Sequence, residues 1–157
     1  SDSHETLPRV DASATELDTD SQPFVDLCDA AMAMTAHVVY EAWDPHHCAS
    51  VSPLIIEQQI RDRMGFEGLL MSDDLDMKAL SGTLADRAAA VLHAGCDIAL
   101  NCWGRLDDME AIANRVATMP ELSLSRLARA CANVSVTTNT PALRQRIEAL
   151  LDYRDAR

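Results

Sequence analysis

Apolar residues in this chain fall into short unbroken runs set between longer stretches of helical spacing. Leu69-Leu70-Met71 follows Gly68 and stops abruptly at Ser72-Asp73-Asp74. Ile98-Ala99-Leu100 stops at Asn101-Cys102-Trp103-Gly104, and the run from Met32 to Val39 passes through Thr35-Ala36-His37. Continuous rather than alternating hydrophobicity marks strands covered on both faces, the signature of parallel strands in an α/β fold. Each run ends in polar or reactive residues, and the C-terminal ends of such strands are where α/β folds bind ligands.

The intervening segments read as helices. One starts near Ser21 with Pro23 in its first turn, carries Phe24, Leu27 and Cys28 at helical spacing, and runs to about Ala31. Ser52-Pro53 marks another start, with Ser as N-cap and Pro at the first helical position. Ile56, Ile60 and Met64 then lie four residues apart on one face, and Gly65 ends the helix. Leu84 to Ala94 is an Ala-rich helix closed by Gly95. Further helices are expected over about 106–117, 123–134 and 141–151. Residues 1–20, rich in Ser, Thr, Asp and Pro, read as an irregular, solvent-exposed loop. Three strands are too few for a (β/α)8 barrel, which needs eight and about 250 residues. The pattern therefore predicts either a small open α/β domain or part of a barrel.

Composition narrows the partners. The chain has 157 residues, of which 48% are hydrophobic but only 4% aromatic, so one core is expected, built from Ala, Leu, Val, Ile and Met. A net charge of -12 disfavours nucleic acid and anionic membrane surfaces. No apolar run reaches the ~20 residues of a membrane span, and no secretory leader is read in residues 1–20. The five cysteines are widely spaced with no Cys-x-x-Cys pair, which reads as reduced thiols in a cytoplasmic protein.

Several residues carry candidate chemistry. In Asp2-Ser3-His4 the carboxylate can accept from the imidazole, fixing its tautomer for proton transfer; the alternative is a disordered polar terminus. In Ser72-Asp73-Asp74 two neighbouring carboxylates point in different directions, so one can face a site while the other caps the next turn. His37 either lines a site at the same edge or is a packed ring with both nitrogens satisfied. His46-His47-Cys48 reads as a solvated loop, because adjacent residues rarely converge on one metal. Cys96 and Cys102 read as packed thiols, and no metal or cofactor is expected.

Taken in order, these segments resemble the bacterial β-N-acetylglucosaminidases of glycoside hydrolase family 3. The resemblance rests on Asp2-Ser3-His4 with Leu7-Pro8, on Met34-Thr35-Ala36-His37-Val38-Val39-Tyr40, and on Leu54 through Met71 with Gly65-Phe66-Glu67-Gly68. Its strongest part is Ser72-Asp73-Asp74-Leu75-Asp76-Met77-Lys78-Ala79-Leu80, and Ala94-Gly95-Cys96-Asp97 closes it, so that it covers roughly residues 1–105. The resemblance implies a (β/α)8 barrel and retaining hydrolysis. Asp73 would be the nucleophile, His4 the general acid/base and Asp2 its partner, with His37 a candidate substrate-binding residue. It further implies a cytoplasmic enzyme of peptidoglycan recycling that removes N-acetylglucosamine from anhydro-muropeptides.

The family's catalytic loop opens with Lys-His-Phe-Pro-Gly-His-Gly ahead of Asp-Ser-His, and nothing precedes Ser1 here. The expected architecture is thus the C-terminal part of a barrel with its N-terminal strands missing. Residues 1–20 would be a catalytic-loop remnant, 21–105 β/α units and 106–157 C-terminal helices. Two rival readings stand beside the enzyme: a non-catalytic remnant lacking the sugar pocket, and a small open α/β binding domain unrelated to sugars.

Overall fold

A computed structural model describes residues 5–132 and position 145. The helix expected over 141–151, the last residues of that expected over 123–134, and the candidates Asp2 and His4 lie outside the described residues or nearly so. The fold is α/β. Strands β1 (Arg9–Val10), β2 (Met32–Met34), β3 (Val39–Tyr40) and β4 (Leu69–Met71) alternate with helices α1 (Ala14–Asp20), α2 (Gln22–Asp26), α3 (Leu84–Ala94), α4 (Leu106–Arg115) and α5 (Glu121–Ala132).

Every pairing is parallel. Met32, Ala33 and Met34 lie opposite Leu69, Leu70 and Met71, and Met71 bridges onward to Ile98. The three predicted runs therefore sit side by side in chain order, and their polar ends at His37, Asp73 and Asn101 share one edge. The run over 98–100 is held chiefly by flanking bonds rather than a long ladder. Ser72 N–H donates to the Ile98 carbonyl and Leu75 N–H to that of Leu100. The run from Met32 to Val39 splits in two. After Thr35 N–H donates to the Met71 carbonyl the chain leaves this sheet, and β3 pairs instead with β1.

Residues 1–20 are not an irregular loop throughout, which corrects the reading from composition. Ser13 opens α1 with a capping box: its hydroxyl accepts from Glu16 N–H at 3.3 Å, while the Glu16 carboxylate accepts from Ser13 N–H at 2.9 Å. These reciprocal bonds satisfy two of the amides that a helix start leaves without partners. Leu17 then buries on the inner face. Helix α2 begins as expected around Pro23 but ends at Asp26, and Phe24 and Leu27 are exposed.

The segment after Ser52-Pro53 is helical, and the Ser52 hydroxyl caps it by accepting from Ile55 N–H at 3.1 Å. Over Ile55–Arg63, however, it winds as a π-helix, with Met64 N–H reaching back five residues to the Gln59 carbonyl. Ile55 and Ile56 are buried and Ile60 packs against the core from its margin. Helix α3 has the predicted bounds. Thr83 caps its start, and Gly95 ends it at φ 113°, a left-handed conformation that favours glycine. An ideal Cβ at Gly95 would also lie 3.0 Å from the Ile56 side chain, so glycine lets α3 close against the π-helix. Val39, Ile56, Phe66, Leu70, Leu75 and Val91 form the centre of the core. Among the described residues no helix is long and apolar enough to cross a membrane.

Candidate functional site

The shared strand edge carries the candidate site. Buried Ser72 ties β4 to the neighbouring run: its hydroxyl donates to the Asp73 carbonyl at 2.8 Å and accepts from Leu100 N–H at 3.1 Å. The chain then turns, and the two aspartates diverge in what they contact. The Asp74 carboxylate accepts from Asp76 N–H at 3.2 Å and from Cys102 N–H at 3.1 Å, so it caps its own turn and pins the next strand's loop. The Asp73 carboxylate accepts from Asp74 N–H at 2.8 Å. Among the described residues, its bond thus comes from the adjacent backbone rather than from a cap elsewhere. Arg87 on α3 fastens the following loop, donating to the carbonyls of Leu75 at 2.6 Å and Met77 at 3.2 Å.

His37 reaches this node from the end of β2. Its ring has no exposed surface, Nδ1 lies 2.6 Å from the Ser50 hydroxyl and Nε2 lies 3.0 Å from the Asp74 carbonyl. A carbonyl only accepts, so Nε2 carries a proton. Burial lowers the ring's pKa, against the opposing pull of the Asp74 carbonyl and the Asp73 and Asp74 carboxylates. Burial thus favours the neutral ring, and with Nε2 protonated in that form Nδ1 accepts from Ser50. Both nitrogens are committed within the protein, as the packed alternative expects. Sequence reasoning missed Ser50 and Arg87, because neither stands in a motif; each is distinguished only by what the fold brings to it. Asp2 and His4, the other two candidates, lie outside the described residues.

The remaining candidates resolve as structure. Asp44 is buried under the His46-His47 turn and accepts from the Ser52 hydroxyl at 2.7 Å, from both histidine amides and from the His47 ring. Burial opposes its ionisation, but these donors together outweigh it and hold the carboxyl down at about 2. Both histidines are exposed while Cys48 is buried, and no cluster of metal-ligating residues occurs among the described residues. Cys96 is a packed thiol, pushed up to about 12 mainly by burial, whereas Cys102 is exposed, which corrects the expectation for that residue.

Comparison with known proteins accords with this layout. The glycosyl hydrolase family 3 N terminal domain matches residues 1–136, a span that includes α4 and α5, past the residues whose motifs suggested it. A β-hexosaminidase from Thioalkalivibrio sulfidiphilus is 39% identical over 133 residues, and one from Chromobacterium violaceum is 38% identical over 129. Those alignments cover 82% and 79% of this chain. Among solved structures, NagZ from Neisseria gonorrhoeae, in complex with N-trifluoroacetyl-D-glucosamine, superposes with a TM-score of 0.69 at 34% identity. That match covers 82% of this chain and 38% of NagZ. The β-N-acetylglucosaminidase from Thermotoga maritima gives 0.70 at 30% identity, covering 83% of this chain and 32% of that one. The chain spans only 38% and 36% of the two β-hexosaminidases. On the extent of these matches, the chain belongs to glycoside hydrolase family 3.

Proposed function

We propose that this chain carries the nucleophile half of a retaining β-N-acetylglucosaminidase, with Asp73 as the nucleophile. The observation that supports this most is the division of labour at the end of β4. Asp74 is spent on capping and cross-strand bonds, which leaves Asp73 as the strand-end carboxylate for chemistry. The parallel order of β2, β4 and the run at Ile98 fits three successive strands of a (β/α)8 barrel.

The reaction follows from the residue types. An Asp73 carboxylate oxygen attacks the anomeric carbon, the glycosidic C–O bond breaks, and the leaving oxygen takes a proton from His4. Water then gives a proton to His4 and attacks the same carbon, releasing Asp73. Asp2 stabilises the imidazolium while His4 is charged, as the carboxylate of a hydrolase triad does. The proposed substrate is a terminal β-linked N-acetylglucosamine, released from anhydro-muropeptides during cytoplasmic peptidoglycan recycling.

Hydrolysis of an aryl N-acetylglucosaminide tests it. In an enzyme completed upstream of this chain, Asp73→Ala should abolish turnover, by several orders of magnitude, because the covalent step is lost. Asp74→Ala should leave a folded protein with measurable activity, since it removes a cap worth about 1 kcal/mol. An Asp74→Ala protein that is dead beside an active Asp73→Ala protein refutes the assignment. No turnover by the unsubstituted protein favours the non-catalytic remnant.

A further inference from the structure

We infer that His37 is a positioning residue for Asp73, acting through the Asp74 peptide and never touching the sugar. The inference rests on the assignment of Asp73 as nucleophile.

The geometry makes Asp74 a fixed node. Its N–H donates to the Asp73 carboxylate, its carboxylate accepts from Asp76 and Cys102, and its carbonyl accepts from His37 Nε2 and, at 3.2 Å, from Met77 N–H. Rotating that residue would swing the amide that holds Asp73. The bonds from Asp76 and Met77 are local to the turn and would move with it. His37 arrives from another strand and is itself anchored, so it supplies a fixed external reference.

A chain of hydrogen bonds runs behind the ring into the core. Buried Ser50 donates to His37 Nδ1, and its oxygen lies 3.3 Å from the Sγ of buried Cys48. Ser50 N–H donates to the Ala36 carbonyl at 3.2 Å, which ties this relay to the backbone beside His37. Every donor has an acceptor along Cys48, Ser50, His37 and Asp74, provided the ring is the neutral Nε2–H tautomer. The groups facing the ring are Asp73 and Asp74, which favour a charged imidazole, and Arg87, which opposes it; burial prevails.

Two substitutions separate positioning from packing. His37→Gln places an amide N–H near the former Nε2 and keeps the bond to Asp74, whereas His37→Phe keeps the ring's volume and loses both bonds. His37→Phe should lower kcat by about tenfold to 100-fold with KM nearly unchanged, the scale expected from a small misplacement of a reacting group. His37→Gln should recover most of kcat. In the unsubstituted chain, nitrogen NMR of the imidazole at neutral pH should show protonated Nε2 and bare Nδ1. His37→Phe should also speed hydrogen exchange at the Asp74 amide. Full kcat in His37→Phe, equal losses in the Gln and Phe variants, or a ring that carries its proton on Nδ1 would each overturn the inference. The NMR and exchange readouts need no turnover. A protein inactive on the glycoside would therefore favour the non-catalytic remnant while still reporting on the clamp itself.

Discussion

The two ends of β4 treat a carboxylate in opposite ways. Beside the start of the strand, Asp97 is buried and accepts from four donors: Leu70 N–H and Arg61 Nη2 at 2.9 Å, Arg126 Nη1 at 3.1 Å and the Ser123 hydroxyl at 2.6 Å. Burial opposes its charge, yet these partners outweigh burial and hold its pKa below the usual carboxylate range. At the strand's far end, the Asp73 carboxylate accepts from the Asp74 amide, and among the described residues no guanidinium bonds to it. A charge neutralised by two arginines and two further donors is a poor nucleophile and a good bolt. One held, among the described residues, by a neighbouring amide differs from it in the way the proposed role of Asp73 requires. The contrast matches the division in α/β barrels, where one end of the strands carries stability and the other chemistry.

That contrast can be broken by substitution. Asp97→Ala leaves Arg61 and Arg126 charged and half-buried or buried without their partner, and should cost about 3–5 kcal/mol in denaturant melts. Asp73→Ala should leave the same melt almost unmoved while it removes turnover. A large stability loss from Asp73→Ala would show that both ends are structural. A smaller effect should appear with acid at Asp44, which is buried like Asp97 but has only neutral or histidine donors. Its folded pKa is lowered from 3.8 to about 2, so its contribution is complete above about pH 4 and is lost as pH falls toward 2. That loss should amount to roughly 2 kcal/mol, and Asp44→Asn should flatten the pH dependence in this window. The smallest effect belongs to the exposed cap of α1. Ser13→Ala should lower stability by ~1 kcal/mol with no change in the kinetics of either strand-end carboxylate.

What could be read in advance follows from where the signal sits. Helix α3 was legible because its causes are local: alanines on the inner face and a glycine that alone fits the left-handed stop. The strand at Leu69–Met71 was legible because both faces are covered, which leaves an unbroken apolar run. Helix α1 carried its own sign, Ser13 followed three residues later by Glu16, yet the polar composition around it suggested a loop. In the candidate site, Asp73 and Asp74 stood out by position and motif. Their different duties did not, because the amide of Cys102 lies 28 residues away in sequence from the carboxylate it meets. The Ser50 hydroxyl was equally silent, since a serine in an apolar stretch announces a partner but not which one. Four Asp97 donors drawn from three separate segments show the same limit for the structural end.

The π-helix at Ile55–Arg63 bears on how this segment could change length over evolutionary time. Its hydrogen bonds span five residues rather than four, so the segment between Ser52 and Gly65 winds more widely than an α-helix between the same anchors would. A one-residue deletion there could be absorbed by tightening the coil, without moving either anchor or the strand that follows. The cost would fall on azimuth. Arg61 now points inward to Asp97 while Arg63 points outward to Asp18 and the Trp43 ring. Rewinding would turn one or both away, so the tolerated gap positions are those that leave the inward arginine facing its carboxylate.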